Sequence, residues 1–268
     1  MIKMIALDLD NTLLNSRKEI SKANEKILKS LHNAGQQIVL CSGRPIQAIM
    51  PMINQLGLNK PEDFSITFNG GLVQNNASKK ILFQKTLNKA EVKTIYNFAK
   101  NLGFPLDVVG QSQVYSLVDL GKSSYQKFMR GLLKFTDLNF PDLPEKQPYG
   151  KVVSSAPGPI IDKIADNLPP VISKKFHVIP SRTTLMEFMA HNVNKASGLE
   201  KLLAHFGQSF DNLMAFGDHK NDIAMLKSAR IGVAMGNAIP PVKKIANALA
   251  DTNDHDGVGK YLKNYFHL

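Results

Sequence analysis

The sequence predicts an α/β protein: a parallel sheet flanked by helices, interrupted by a second α/β module. Three observations carry this. Both ends of the chain alternate short apolar runs with segments of helical spacing, as βα units do. Several of those runs stop at polar residues, and ligands of such sheets bind beyond the carboxyl ends of the strands. Between the two ends, short alternating strands and clustered prolines replace that pattern.

The first apolar run, residues 2–8, predicts a buried strand ending at Asp8. Residues 21–34 carry Ala23, Ile27, Leu28 and Leu31 at helical spacing, with Ser21 as N-cap and Gly35 as the stop. Residues 37–41 predict a second strand, ending at Ser42-Gly43-Arg44. Pro45 then opens a helix running to about residue 56, as proline can at a first helical position. Residues 64–68 predict a third strand, ending at Asn69-Gly70-Gly71. Near the other end, 195–206 reads as an amphipathic helix and 212–216 as a strand ending in Gly217-Asp218. A short helix over 220–228 and a strand over 231–235 follow.

The middle predicts helices near 88–102, 122–134 and 158–167, with strands near 105–109, 113–118, 151–155, 174–179 and 183–189. Prolines gather at Pro141, Pro144, Pro148, Pro157, Pro159, Pro169 and Pro170. The expected organisation is one domain from residues 1–84 and 187–268, with a second domain, 85–186, inserted.

The 268 residues are 43% apolar and 21% charged, as in an ordinary globular protein. The single cysteine, Cys41, excludes an internal disulfide and fits a reducing compartment. No early secretory segment and no apolar run of membrane-spanning length is seen, so a cytoplasmic location without a membrane partner is expected. The net charge of +11 is spread over scattered lysines, with no arginine-rich tract and no tryptophan. A nucleic-acid partner is therefore not expected, although a basic surface mildly favours small anionic substrates.

Chemistry is concentrated at the strand ends. Asp8 and Asp10 end one strand, Ser42 another, and Asp218 with Asp222 a third. If these strands are parallel neighbours, several carboxylates meet and need a counter-charge. An all-oxygen donor set suits Mg²⁺, which keeps several waters and takes phosphate oxygens. Each signal has a plain alternative. Asp10-Asn11 is also a turn pair, Asp218 a helix cap, and Lys195 a surface lysine. Asp-x-Asp-x-Thr arises by chance in roughly one chain in ten, so the weight rests on the joint order of the motifs.

In that order the chain resembles the haloacid dehalogenase superfamily of phosphatases, and in particular its Cof-type group, subfamily IIB. Asp8-Leu-Asp-Asn-Thr12 is similar to the family's first motif and Ser42-Gly43-Arg44-Pro45 to its second. Lys195 lies where the third places its lysine, and Gly217-Asp218-His-Lys-Asn221-Asp222 resembles the fourth. The segments Val233-Ala-Met-Gly-Asn237-Ala238 and Asn253-Asp-His-Asp-Gly257-Val258 are also typical of the group. Ala196 and Arg230 depart from it, standing where glycine, or a glycine or small residue, is usual.

The resemblance implies a Rossmann-like core with a C2-type α/β cap. It implies a Mg²⁺-dependent phosphatase acting on a small phosphorylated metabolite, sugar phosphates foremost, as a monomer or homodimer. Asp8 would be the nucleophile, and Asp10 the acid and base, its pKa raised by Asp8 and Asp218. Asp8, the Asp10 carbonyl and Asp218 would ligate the metal, with Asp222 behind them or reaching it through water. Lys195 would offset charge, and Ser42, the Gly43 amide and Asn221 would bind phosphate. Thr12 would steady the loop, while Arg44 and Asn69 would lie near the substrate. A phosphotransferase or phosphomutase, or a non-catalytic ligand-binding regulator, would share much of this pattern.

Overall fold

The computed structural model describes residues 1–129, 131 and 133–268. The chain opens with β1 (Met4–Leu7), α1 (Lys22–Asn33), β2 (Gln37–Cys41) and α2 (Met50–Leu56). It continues through β3 (Phe64–Thr67), β4 (Leu72–Asn75) and β5 (Ile81–Gln84). Next come α3 (Lys89–Leu102), β6 (Asp107–Gly110), β7 (Gln113–Leu117), α4 (Tyr125–Met129) and β8 (Lys134–Leu138). Then follow β9 (Tyr149–Ser155), α5 (Gly158–Asp166), α6 (Pro170–Ser173), β10 (Phe176–Arg182) and β11 (Leu185–Ala190). The last elements are α7 (Lys195–His205), β12 (Leu213–Gly217), α8 (Ile223–Ser228), β13 (Ile231–Ala234), α9 (Pro240–Ile245), β14 (Ala248–Leu249) and α10 (Gly257–Phe266). Two compact units result. One comprises Met1–Arg44, Ile49–Gln84 and Asn194–Leu268, and the other Pro45–Ala48 and Lys85–Val193.

The first unit holds an eight-stranded sheet in the order β14-β13-β12-β1-β2-β3-β4-β5. The strands from β14 to β3 run parallel. Central β1 is covered on both faces, so all four of its residues are apolar and buried. Leu7 is level with Phe216 on one side and Leu40 on the other. That register fixes the site, because the residues after β1, β2 and β12 emerge at one edge. α1 begins at Ser21, whose hydroxyl accepts the Asn24 amide at 3.1 Å.

Several local readings differ. The helix expected from Pro45 is broken into a 3₁₀ turn, Ile46–Ile49, followed by α2. Pro51, in the first turn of α2, lacks the N–H and crowds the carbonyl that a continuous helix requires. The helix expected over 122–134 is only α4; residues 130 and 132 lie outside the described residues, and Lys134 already starts β8. Strands β4 and β5 were not anticipated. They add an antiparallel meander to the β3 edge, in four-residue runs too short for a periodic signal.

The second unit is a six-stranded sheet, β10-β11-β9-β6-β7-β8, antiparallel except for β7 against β8. Val108, Val152, Met186 and Phe188 lie in its core with Val92, Ile95, Ile161 and Ile164 from α3 and α5. β11 pairs with both β9 and β10, so this unit runs to Val193, beyond the expected 186. No helix among the described residues is long and apolar enough to cross a membrane.

Candidate active site

Asp8 leaves β1 with its amide bound to the Phe216 carbonyl at 3.1 Å, which keeps it level with the end of β12. On that neighbour, Gly217 lets the side chain of Asp222 come close: a Cβ on Gly217 would stand 2.5 Å from the Asp222 Cβ. Asp222 folds back and accepts the amides of Asp218 and His219, each at 3.0 Å, through one oxygen. Its other oxygen accepts Lys195 Nζ at 2.6 Å.

Lys195 comes from the first turn of α7. Asn194 caps that helix by accepting the Ser197 amide at 3.0 Å. The helix start lies against the loop after β3, where a Cβ on Gly70 would fall 2.0 Å from the Asn194 carbonyl oxygen. Gly70 has φ +103, open to glycine at no steric cost. Lys195 is thereby completely buried and donates to Asp8 as well as Asp222.

Asp8, Asp218 and Asp222 each present an oxygen within 4.8 Å of the others, all three residues buried. Thr12 donates to Asp218 Oδ1 at 3.0 Å. Burial, followed by the charge of Asp222, pushes the Asp8 carboxyl well above its ordinary range; Lys195 opposes this. Burial and Asp222 likewise raise Asp218 to about 6. Burial alone would lower Lys195, but Asp222 and Asp8 hold it far above the usual lysine value. One lysine does not neutralise three crowded carboxylates. The set is all oxygen and short of positive charge, so it fits a hard divalent cation. Asp222 has both oxygens engaged, which leaves Asp8 and Asp218 the more available donors.

Asp10 differs from the expectation. Its carboxylate takes a fork from Arg44, Nε to Oδ2 at 2.9 Å and Nη2 to Oδ1 at 2.7 Å, and pairs with Lys18 at 3.0 Å. Burial pushes its pKa upward, but Arg44 and then Lys18 outweigh that and hold it down to about 2. The two cations thus hold it down, where Asp8 and Asp218 were expected to raise it. Arg44, expected near a substrate, is occupied by Asp10. Lys18 belongs to no motif in the sequence, and only the turn that returns it to Asp10, with its amide on the Asn15 carbonyl at 2.9 Å, reveals it.

Ser42 continues the edge beside β3, its amide on the Ile66 carbonyl at 2.8 Å, and its hydroxyl accepts the Arg44 amide at 3.1 Å. Asn69, left-handed at φ 53 and buried, binds its amide to the Ser42 carbonyl and accepts Asn221 Nδ2 at 3.2 Å. A Cβ on Gly43 would come within 3.0 Å of the Asn69 side chain. Ser42, Gly43, Asn69 and Asn221 thus form one polar rim beside the acids. Cys41 lies beneath, buried, its thiol pushed up to about 12 chiefly by burial.

The family model of haloacid dehalogenase-like hydrolases matches residues 5–262. The chain belongs to this family, in its Cof-type group. A 5-amino-6-(5-phospho-D-ribitylamino)uracil phosphatase of Bacillus subtilis is 31% identical over 99% of this chain and 98% of its own. A haloacid dehalogenase-like hydrolase from Bacteroides thetaiotaomicron superposes with TM-score 0.89 at 30% identity, covering 99% of this chain and 100% of that one. A subclass IIB sugar phosphatase shares the fold, with TM-score 0.81 at 22% identity over 99% and 100% of the two chains. The protein is an enzyme, a hydrolase of the phosphatase type, and members of its family use a divalent metal.

Proposed function

We propose that this Cof-type enzyme is a Mg²⁺-dependent phosphatase that hydrolyses small phosphorylated metabolites, sugar phosphates foremost, through an aspartyl-phosphate on Asp8. The observation that carries the reading is the buried trio Asp8, Asp218 and Asp222, served by the single amine of Lys195. Asp8, the Asp10 carbonyl and Asp218 would hold the cation, with Asp222 orienting them from behind. When bound, Mg²⁺ reduces the repulsion between a carboxylate and a phosphate dianion.

Asp8 attacks phosphorus, forming its P–O bond as the ester P–O bond breaks. Lys195 lowers the charge around the transferring group. Ser42, the Gly43 amide, Asn221 and Asn69 bind and orient the phosphate oxygens, and Thr12 holds Asp218 in place. Asp10 gives its proton to the leaving alkoxide and then takes one from the water that attacks the aspartyl-phosphate. That second step releases phosphate and restores the Asp8 carboxylate. Paired with Arg44 and Lys18, Asp10 is ionised and ready for the base half. For the acid half it leaves those partners, takes up a proton from solvent and passes it to the leaving oxygen. The unit Lys85–Val193 would act as the cap, excluding water during transfer. The phosphorylated ribityl substrate in the Bacillus relative's name supports a polyol or sugar phosphate for this chain as well.

The test is a phosphate-release screen over sugar phosphates, nucleotides and cofactor phosphates, with and without Mg²⁺ and with no acceptor sugar present. We expect Mg²⁺-dependent release, and a loss on the order of 10⁴-fold or more in Asp8→Asn with substrate still bound. Release undiminished in Asp8→Asn rejects the nucleophile, and turnover only when an acceptor is added points to phosphotransfer.

A further inference from the structure

Two motifs late in the chain have no part in the chemistry above, yet both reach the loop that carries it. After β1 the chain turns tightly, with the amides of Thr12, Leu13 and Leu14 on the carbonyls of Leu9, Asp8 and Leu9. Asn11 in this turn is left-handed, at φ 61, a conformation that asparagine tolerates better than most residues. Asn237 Nδ2 donates to the Asn11 carbonyl at 2.8 Å. Asn237 Oδ1 in turn accepts the Asn253 amide at 3.0 Å. The buried side chain of Asn253 donates to the Leu14 carbonyl at 3.0 Å. Next to it, Asp254 accepts the Ser16 amide at 2.7 Å.

Both asparagines thus grip main-chain carbonyls on either side of Thr12, the residue that holds Asp218. They fix the path of the loop, and among the described residues they make no hydrogen bond to Asp8, Asp10, Asp218 or Asp222. The grip is itself braced: the Gly236 amide binds the Asp251 carbonyl at 3.2 Å, and a Cβ on Gly257 would stand 2.1 Å from that oxygen.

We propose that Asn237 and Asn253 are positioning residues for phosphoryl transfer, a two-asparagine clasp that sets where Asp10 and Thr12 stand relative to Asp8. The kinetic part of this proposal rests on the phosphatase reading; the holding of the loop does not. Asn237 is exposed, so its replacement costs little stability, and geometry can be separated from folding. Small displacements of groups that act on the transition state are costly, up to about a hundredfold for about 1 Å.

Asn237→Ala removes both bonds, whereas Asn237→Asp keeps the acceptor for Asn253 and loses the donor to Asn11. Each is to be compared with the wild-type full chain in Mg²⁺ by steady-state kinetics on p-nitrophenyl phosphate, thermal unfolding and amide hydrogen exchange. We expect kcat to fall about tenfold or more in both, with KM within about twofold. The unfolding midpoint should stay within about 2 °C, and exchange of the amides of residues 12–14 should quicken. Unchanged exchange there overturns the clasp. Faster exchange with unchanged kcat overturns its role in positioning, and Asn237→Asp behaving as wild type rejects the Asn11 contact. If the wild type hydrolyses nothing, the phosphatase reading fails and exchange alone decides the clasp.

Discussion

Each unit buries a lysine among acids, but the two arrangements balance differently. In the second unit Lys151 pairs with Glu187, both nearly inaccessible, with the Tyr125 ring centroid 6.0 Å from the amine. Burial would lower the Lys151 pKa, but Glu187 and Tyr125 raise it above the ordinary lysine value, so the amine stays charged. In the first unit Lys195 faces Asp8 and Asp222 with Asp218 close by, and two of those acids are pushed upward. A lysine that meets an acid in a buried pair has its charge offset there. A cluster short of positive charge is relieved by a proton or by an added cation, and that separates a structural ion pair from a place for a cation and a phosphate.

The sharpest way to break this comparison is to unbalance the balanced pair. Glu187→Gln leaves the Lys151 ammonium buried without its carboxylate, at a cost of about 3–5 kcal/mol in denaturant unfolding. Replacing both partners, Lys151→Met with Glu187→Leu, should recover that loss or exceed it, because an apolar pair carries no desolvation penalty. If the single variant unfolds at the wild-type midpoint, Lys151 and Glu187 are not the structural ion pair described above.

The first unit should respond to the opposite operation, the addition of charge. Mg²⁺ at about a hundred times its dissociation constant should stabilise the wild type by about 2.7 kcal/mol. Asp218→Asn removes one donor and should abolish most of this, while the Lys151/Glu187 double variant keeps it. An equal Mg²⁺ response in Asp218→Asn would mean that the cation binds elsewhere.

The parts legible in the sequence were those written in apolar runs. The runs behind β1, β2 and β12 placed Asp8, Ser42 and Asp218 at strand ends, and parallel pairing follows from their burial on both faces. The rest depends on which side chains meet after folding. Asp10 carries no mark that Arg44, 34 positions away, will take its carboxylate, and so its pKa was expected on the wrong side of normal. Lys151 reads as one more dispersed lysine until β9 and β11 are paired, because Glu187 lies 36 positions later. Strands β4 and β5 gave no period long enough to detect, and the Asn237 to Asn11 contact spans 226 residues.

The smallest expected effect is in the pH dependence of the metal-free protein, where residues of one site act in opposite directions. Asp10 is depressed to about 2, outweighed burial notwithstanding, by Arg44 and Lys18. Its contribution to stability is therefore fully present above the unfolded value of about 3.9 and is lost as pH falls through about 2. Asp218 is raised, mainly by burial, to about 6, and Asp8 is raised as well. Their contributions are full below the unfolded value and are lost as pH rises, that of Asp218 through about 6, when the cluster must ionise against itself. The two limbs meet near pH 4, so these residues together add a shallow maximum there to the stability profile. Unfolding midpoints in chelator from pH 3 to 7 should show it. Asp218→Asn should flatten the limb between about 4 and 6 and leave the acid limb intact, whereas Arg44→Met should weaken the acid limb alone. Saturating Mg²⁺ should erase the upper limb in the wild type, because a bound cation favours the ionised carboxylates that burial penalises. An upper limb unchanged by Mg²⁺ would show that the crowded acids are not where the cation binds.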